Sequence, residues 1–438
     1  MKQEKTVLQT ILRYSIPSVV SMWIFTIYTM VDGIFIGKYV GPLGLAGVNI
    51  TMPLINLTFA IGIMIAVGSS TMIAIHYGKK EWEKGNQIFT TAVFSLLGCG
   101  VLISTLITIF MDPIINFLGG GGTLYPYVKD YLSVIILFCI CYMTGYALEI
   151  YIKVDGNPVY PTLCVITGGV VNILLDYVFV VIFHWGIKGA AFATGLSQVT
   201  TTSLLFYYIF FKTERVKFTK IRYSIINLLK IMKVGFAEFL AEVSTGISIF
   251  VFNLVILREL GEKGVSAFGI IGYISSFITM TMIGFNQGVQ PILSFNLGAN
   301  EHKKISEIIK TSFIILGGLG IFFYGMINIF STEIVSIFLN SSEDIKLTEK
   351  ALTLYSFAYI ICGFNIFSAG YFTAIDRVKI STIITLLRGV LLLILFIYTL
   401  PYFLGVNGIW LTMFVTEGVT LIVSYLFMKN YDIIRNKI

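Results

Sequence analysis

Residues 45–76 read LAGVNITMPLINLTFAIGIMIAVGSSTMIAIH, a run of 32 residues that contains no Asp, Glu, Lys or Arg. A helix needs about 20 predominantly apolar residues to cross the hydrocarbon core of a bilayer. An uncharged run of this length is therefore typical of a membrane-spanning helix. The stretches on either side of it have the same character.

The composition of the whole chain agrees with this interpretation. The 438 residues are 56% apolar and only 12% charged, with a mean hydropathy of +0.88. A soluble domain carries about a quarter charged residues, and a soluble core cannot grow large enough to bury so much apolar surface. The composition excludes soluble enzymes and nucleic-acid-binding proteins, and the five cysteines, an odd number within apolar runs, argue against a secreted disulfide scaffold.

Glycine, proline and charged residues divide the chain into twelve apolar runs, which we number as spans 1 to 12. The first six fall at about residues 14–37, 45–76, 88–111, 127–151, 159–184 and 187–211. The second six fall at about residues 234–257, 265–297, 308–331, 350–373, 380–403 and 406–428. The pattern predicts an all-α polytopic membrane protein with twelve transmembrane helices.

The distribution of positive charge predicts the orientation. With both termini in the cytoplasm, 22 of the 30 Lys and Arg residues fall on the cytoplasmic side, seven fall outside and Arg388 lies within a span. This excess follows the positive-inside rule. The net charge of +7 therefore reflects topology and gives no reason to expect a nucleic-acid partner. We expect a multi-pass protein of the plasma (inner) membrane whose first span is an uncleaved insertion signal.

The second half of the chain repeats the first at an offset of about 220 residues. Six residues of the first half recur at that offset, namely Gly41, Gly44, Gly68, Gly78, Glu81 and Lys84, which meet Gly261, Gly264, Gly288, Gly298, Glu301 and Lys304. The match continues with Asp155 and Asp376 at offset 221, and with Gly186 and Gly405 at offset 219.

Because each half holds six spans, an even number, both halves enter the membrane from the same side. This indicates two six-helix lobes that are parallel repeats related by an axis along the membrane normal, a plan in which transporters handle substrate at the repeat interface. The predicted units are an N-lobe of residues 1–211 with spans 1–6, a cytoplasmic linker of residues 212–232, and a C-lobe of residues 233–438 with spans 7–12.

Ionisable residues within the spans are the candidate functional groups, because a charge at mid-membrane costs roughly 2.5–3.5 kcal/mol and such residues usually line cavities or ion paths. Those deep in apolar runs are Asp32 in span 1, Asp176 in span 5, Glu238 and Glu242 in span 7, Arg388 in span 11 and Glu417 in span 12. Glu149 lies nearer the cytoplasmic end of span 4.

Two carboxylates in the N-lobe point to a cation site. Asn172 and Asp176 are four residues apart and share one helix face, which supplies hard oxygen ligands for Na⁺ or a hydrogen-bonded proton site. Asp32 lies one turn after Tyr28, and two carboxylates in one poorly solvated cavity resist simultaneous ionisation. Alternatively, each Asp caps a broken helix or pairs with a nearby donor.

The repeat makes this site asymmetric. Four N-lobe positions, Asp32, Asn172, Asp176 and Thr194, map to the apolar residues Phe252, Leu393, Ile397 and Met413 of the C-lobe. If the polar residues only stabilised the fold, both lobes would need them about equally.

Other residues leave alternatives open. In the C-lobe, Glu242 serves the substrate or a second ion, or it pairs with Arg388, which is itself a structural counter-ion or a binder. Tyr28 and Tyr131 are two of the aromatic residues that lie near acids. Each could stack its ring on a flat cation. No enzyme motif is present, and no cytoplasmic stretch is long enough for a nucleotide-binding domain, so transport would be driven by an ion gradient without an organic cofactor.

The chain resembles the multidrug and toxic compound extrusion (MATE) family. The resemblance rests on twelve spans in two lobes and on four motifs, VDGIFIG (31–37), GNPVYPT (156–162), NILLDYVF (172–179) and GIKGAAFATG (186–195). It implies H⁺ or Na⁺ coupling through an N-lobe cation site formed by Asp32, Asn172, Asp176 and Thr194. Tyr131 resembles the span-4 tyrosine of the family near this site.

The resemblance also bears on the C-lobe. Glu242, in the motif AEVS, resembles the acid that many members carry on span 7. In span 10 the chain reads CGFNIFSAG (362–370) and lacks the aspartate that some members have, which argues against a C-lobe Na⁺ site. Before the Gly-Asn-Pro turn it has Lys153, where members often have Arg.

The expected function is therefore a cation-coupled antiporter that exports small amphipathic organic cations by alternating access, as a monomer in the lipid bilayer. Glu149, Glu242, Arg388, Tyr28 and Tyr131 are candidate substrate or secondary residues. A flippase for lipid-linked precursors, from the same superfamily, is the main alternative, although such proteins usually line the cavity with several cationic residues. A membrane-embedded transferase would need a clustered Asp-rich or His-containing motif. A receptor or scaffold would not explain a carboxylate cluster that only the N-lobe has.

Overall fold

The computed structural model describes residues 6–220, 225–339 and 341–435, and these residues form helices with no strand. The helices of the first half are Val7–Phe35, Pro42–Gly78, Trp82–Ile109, Met111–Phe117, Tyr125–Ile135, Cys139–Asp155, Val159–Asp176 and Gly186–Phe211. Short 3₁₀ turns occupy Gly122–Leu124 and Ile136–Phe138. Those of the second half are Ile225–Gly298, His302–Ser336, Ser342–Ala374, Val378–Leu386, Leu392–Leu404 and Val406–Arg435.

The described helices account for twelve spans. Ten helical segments are long and apolar enough to cross a membrane. The longest, Ile225–Gly298, is broken at Gly261, whose φ of 64° and ψ of −160° are not helical, so it contains spans 7 and 8. Gly186–Phe211, with 26 residues, supplies span 6. The predicted all-α fold with twelve spans is confirmed for the part of the chain that the structure describes.

Backbone turns follow the repeat more closely than side chains do. Left-handed residues end corresponding helices at offset 220 in three pairs, Gly41 with Gly261, Lys80 with Asn300, and Gly156 with Asp376. The sequence match of Asp155 with Asp376 is therefore wrong by one residue, because Asp376 (φ 59°) occupies the turn position of Gly156 (φ 109°). Asp is among the few non-glycine residues that adopt this conformation readily.

The described residues include three π-helical turns, and the two in spans 5 and 11 explain why the offset rises by one between them. They lie at Ile36–Val40, Tyr177–Ile182 and Leu387–Leu391. A π turn adds a residue to a helix, and the turn in span 11 comes earlier along its helix than the turn in span 5. Between the two turns the offset rises to 221, which places the buried Leu393 and Ile397 at the positions of Asn172 and Asp176.

Each lobe has its own apolar core, and each core includes one buried residue from the first helix of the other lobe. The C-lobe core takes in Ile11 of span 1, and the N-lobe core takes in Ile231 of span 7. These two residues are both 0% exposed and are 220 positions apart. The first helix of each lobe therefore begins within the opposite lobe.

Glycines allow the lobes to touch backbone to backbone at the end where residues 212–220 lie, which we call the linker side. A methyl group added to Gly68 would meet the carbonyl oxygen of Ile231, and one added to Gly288 would meet the backbone of Tyr14 and Ser15. The two contacts are related by the repeat offset, so the interface is self-complementary about a pseudo-two-fold axis.

The first part of the linker is fastened to the N-lobe by the Asp155 carboxylate. Its Oδ1 accepts hydrogen bonds from the backbone N–H of Arg215 (2.8 Å) and Val216 (3.0 Å), and its Oδ2 accepts from Glu214 N–H (3.2 Å) and the Tyr208 hydroxyl (2.9 Å). Two further anchors follow, Lys217 N–H on Asn86 Oδ1 and Thr219 N–H on Thr90 Oγ1. Residues 214–219 therefore move with the N-lobe.

We predict that Gly68→Val forces the lobes apart on the linker side, because overpacking a close contact costs about 1–3 kcal/mol. Spin labels at the exposed Lys79 and Lys303, one on each lobe, would report a longer distance in this variant than in the parent. Gly98→Val is the matched control, since nothing lies within 4 Å of a methyl group added there. Equal distances in both variants would show that the glycine contact does not hold the lobes together.

Candidate functional site

A cavity of about 210 Å³ lies within the N-lobe, between spans 1, 2, 4 and 6. Its wall is mostly apolar, and its polar lining includes Asp32, Tyr28, Tyr131, Thr194 and Gln198. Of the residues predicted from the sequence, the structure therefore brings four to one cavity. No lysine or arginine occurs among the described residues that line it.

Asp32 and Asp176 each lie within one turn of a π-helical turn in their helices. Asp176 is the last α-helical residue before the π turn Tyr177–Ile182, and Asp32 lies one turn before the π turn Ile36–Val40. Asp176 is 0% exposed and Asp32 is 9% exposed. Both buried acids thus lie close to a point where the regular helix geometry changes. Such π turns are often found at functional sites.

Several oxygen atoms of this cluster lack a hydrogen-bond partner. They are buried and unpaired within the described part of the chain, namely Asp32 Oδ1, Asn172 Oδ1 and both carboxylate oxygens of Asp176. The Asn172 amide donates weakly to Thr194 Oγ1 (3.4 Å). Buried polar atoms are nearly always satisfied in proteins, and a buried carboxylate without a partner is costly. A proton or a small cation bound between these atoms would satisfy them.

The electrostatics of the cluster support the same conclusion. Asp32 and Asp176 are close enough for their charges to repel, and the buried Tyr131 hydroxyl lies near both. Neither acid forms an ion pair with a Lys, Arg or His among the described residues. Carboxylate, amide and hydroxyl oxygens are the donors that hard cations prefer, so the predicted set of Asp32, Asn172, Asp176 and Thr194 fits Na⁺ as well as H⁺. The structure reveals no cluster of three or more His, Cys, Asp or Glu residues that would suit a metal among those it describes.

A second group of acids lies where the lobes meet. Glu242 on span 7 faces Tyr142 of the N-lobe cavity and lies near Glu238. Glu238 Oε1 accepts a hydrogen bond from Gln290 Nε2 (3.2 Å). Across the interface, Gln287 Nε2 donates to the Tyr146 hydroxyl (2.8 Å). Glu242 is therefore placed between the N-lobe cavity and the C-lobe.

The alternative pairing of Glu242 with Arg388 is wrong. Arg388 Nε and Nη2 both donate to Glu417 Oε1, at 3.1 and 2.7 Å. The Glu417 side chain is 0% exposed, and that of Arg388 is 23% exposed. Span 12 supplies the partner because its buried face packs on spans 10 and 11, deep within the C-lobe. Arg388 is therefore a structural counter-ion, one of the two roles predicted for it, but its partner is Glu417 and not Glu242.

Glu149 also has a local partner. Its Oε1 accepts a hydrogen bond from Lys153 Nζ (2.9 Å), four residues later on the same helix, and both side chains are buried. Lys153 lines a separate linker-side cavity of about 350 Å³ together with Arg215 and Lys304. The structure does not bring Glu149 into the cavity that contains Asp32.

Sequence reasoning missed two residues of the N-lobe cavity. Gln198 Nε2 donates to the Tyr28 hydroxyl (3.2 Å), which orients the ring beside Asp32. Gln198 lies four residues after Thr194, so the helical period applied to Thr194 would have found it. Tyr142 has no comparable signal in the sequence, because its position depends on how span 4 packs against the other lobe.

Comparison with known proteins gives one family over both halves of the chain. The MatE family model matches residues 17–178 and again residues 239–399. The chain is 23% identical to the multidrug export protein MepA of Staphylococcus saprophyticus, over 97% of this chain and 94% of that protein. It is 22% identical to MepA of Staphylococcus haemolyticus, over 100% of this chain and 96% of that protein.

Solved structures share the fold. One is a multidrug resistance MATE family transporter of the MOP superfamily in an outward-facing conformation, with a TM-score of 0.94 and 23% identity over 99% of this chain and 98% of that chain. Another is a MOP superfamily transporter from Pyrococcus furiosus, described as having a binding pocket of reverse polarity, with a TM-score of 0.91 and 23% identity over 98% and 96%.

We predict that cations stabilise the folded protein through the N-lobe cluster. Ligand at 100 times its dissociation constant adds about 2.7 kcal/mol to the unfolding free energy, so the melting temperature of the purified protein should rise as Na⁺ replaces choline or as pH falls. Asp176→Asn should melt higher than the parent without added cation, because it removes an unpaired buried charge, and should respond less to cations. Asp130→Asn, at an exposed residue paired with Lys188, is the control. A parent protein that responds to neither cation would rule out the site.

Proposed function

The chain belongs to the MatE family, whose members are transporters and not enzymes, and on that premise we propose that it exports small amphipathic organic cations in exchange for H⁺ or Na⁺. The observation that carries the proposal is the set of unpaired, buried oxygen atoms on Asp32, Asn172 and Asp176. These atoms need a cation, and a site that binds and releases one can drive export.

The chemistry of the N-lobe cavity supports a cationic cargo. Tyr28, Tyr131 and Tyr142 supply aromatic faces beside the Asp32 carboxylate, and cations bind favourably to such faces. Glu242 would extend this negative environment towards the lobe interface. A flippase for anionic lipid-linked precursors would need free positive charge around the cavity, whereas Arg388 is engaged by Glu417. The multidrug export names of the staphylococcal relatives agree with a cargo of this kind.

The lobe contacts support alternating access by movement of one lobe against the other. We infer from the positive-inside rule that the linker side is cytoplasmic, so the glycine contacts of Gly68 and Gly288 close the cytoplasmic side in this conformation. Cation binding and cargo binding would each favour a different arrangement of the lobes. Because linkage is reciprocal, each ligand then weakens the other by the same factor.

The driving force requires more than one coupling charge for a cationic cargo. One proton entering down about 100 mV releases about 2.3 kcal/mol, and one pH unit adds about 1.4 kcal/mol. When a monovalent cation leaves in exchange for one proton, no net charge moves, and only the pH contribution of roughly tenfold remains. Asp32 and Asp176 together would supply two coupling sites.

We predict that the two lobes differ in their sensitivity to substitution. Asp32→Asn should abolish cation-driven export of a fluorescent cation, measured as uptake into inverted vesicles, and Asn172→Ala, Asp176→Asn and Thr194→Ala should lower it at least tenfold. The matched changes at the equivalent C-lobe positions should leave efflux within about twofold, namely Leu393→Ile, Ile397→Leu and Met413→Leu, since volume-conserving swaps are tolerated. Equal losses in both lobes would indicate a structural role for the cluster.

We also predict that coupling cations compete with the cargo. The affinity of the purified protein for a fluorescent organic cation should weaken as pH falls or as Na⁺ is added, because protonation or Na⁺ binding neutralises the N-lobe carboxylates. Asp32→Asn should flatten this dependence. Titration calorimetry at several pH values, with and without Na⁺, measures the effect. An affinity that ignores both ions would contradict coupling and favour the flippase.

A further inference from the structure

The C-lobe contains a buried carboxylate whose oxygen atoms are all satisfied. Glu417 Oε1 accepts two hydrogen bonds from the Arg388 guanidinium, and its Oε2 accepts one from Asn365 Nδ2 (2.7 Å). The same Asn365 amide also donates to the Glu417 backbone carbonyl (2.8 Å), and its Oδ1 accepts from the Ser424 hydroxyl (3.1 Å). Neither Glu417 oxygen is among the unpaired buried atoms of the described residues.

The repeat relates this group to the N-lobe cavity. At the offset of 219 that joins Gly186 to Gly405, Glu417 of span 12 corresponds to Gln198 of span 6. Gln198 is the residue that borders the N-lobe cavity and holds Tyr28. Both lobes therefore place a polar residue on the same face of their last span, and the C-lobe alone makes it an acid.

The counter-charge comes from an irregular part of the neighbouring helix. Arg388 is the second residue of the π turn Leu387–Leu391 in span 11. In the N-lobe, the π turn of span 5 comes later, directly after Asp176. Each lobe therefore has a π turn in its fifth span. In the N-lobe the buried acid Asp176 directly precedes this turn, whereas in the C-lobe the turn supplies Arg388, which pairs with the buried acid Glu417 of the next span.

We propose that Arg388 is a tethered cation, which permanently fills in the C-lobe the role that an exchangeable H⁺ or Na⁺ has in the N-lobe. A guanidinium keeps its proton at any physiological pH and cannot leave its site. Glu417 therefore contributes no coupling charge, and the number of cations exchanged for each cargo molecule is set without it. The inference rests on the proposed cation coupling and specifies which acid is excluded from it.

The surroundings of Glu417 explain why removing Arg388 would create a new site. The titratable and charged groups that face Glu417 are Arg388 on span 11 and Cys362 and Tyr355 on span 10. Without the guanidinium, no positive charge among the described residues would face this fully buried carboxylate. A carboxylate in so dry a position takes up a proton or a small cation.

The test compares Arg388→Gln with Arg388→Gln/Glu417→Gln and with Arg388→Lys in the full-length purified protein. Infrared spectra at neutral pH report protonated carboxyl groups through their carbonyl band. Arg388→Gln should show one carboxylic acid more than the parent, or a carboxylate whose spectrum responds to added Na⁺. The double variant should show neither, and Arg388→Lys should match the parent because its ammonium keeps the charge.

Transport supplies the second measurement. The double variant removes both charges together and leaves two amides, so it should fold and retain the cation dependence of the parent. Loss of a coupling cation in the double variant would overturn the proposal, as would identical carboxyl spectra in the parent and Arg388→Gln. If Arg388→Gln does not fold, the double variant decides. Failure of the parent to respond to cations would count against the proposed function, whereas the spectral comparison would still test Arg388.

Discussion

The close backbone contact between the lobes on the linker side is the constraint on which the rest of the structure depends. Gly68 lies against span 7, and Gly288 lies against span 1 in the repeat-related way. Each lobe also buries the beginning of the first helix of the other, through Ile11 and Ile231. A self-complementary contact of this kind fixes the position of one lobe relative to the other. It also brings Glu242 of the C-lobe near Tyr142, which lines the N-lobe cavity.

The two lobes share one backbone arrangement but differ in whether their buried acid has partners. In the N-lobe, Asp176 is fully buried with both carboxylate oxygens unpaired. In the C-lobe, Glu417 is equally buried but is held by Arg388 and Asn365. Leaving a buried acid unsatisfied costs stability, and such a cost is usual where strain or an unpaired group belongs to function. Under the proposed cation coupling, this asymmetry would divide the roles, with the N-lobe responding to cations and the C-lobe providing a fixed frame.

The sequence predicted the fold well, because the signals that define it are local. Apolar runs between charged turns gave twelve spans, and left-handed residues such as Gly41 and Gly261 repeat at a fixed offset. Helical spacing likewise placed Asn172 and Asp176 on one face. Pairing across helices was predicted less well, since it depends on packing that no sequence interval records. Arg388 is 146 positions from Glu242 and 29 from Glu417 in the chain, and only the packing of spans 10 to 12 selects Glu417. The π turns were also missed, although they shift the register by one residue.

The linker fastened by Asp155 limits how far the lobes can separate. Among the described residues before position 221, Thr219 is the last that is hydrogen-bonded to the N-lobe, on Thr90, and the helix that continues into span 7 begins at Ile225. Six residues of fully extended chain reach at most about 22 Å. The start of the helix at Ile225 can therefore never lie farther than about 22 Å from the anchored Thr219. Insertions between Thr219 and Ile225 would raise this limit without altering a residue that lines the N-lobe cavity, so the greatest possible separation of the lobes is set independently of the chemistry of that site.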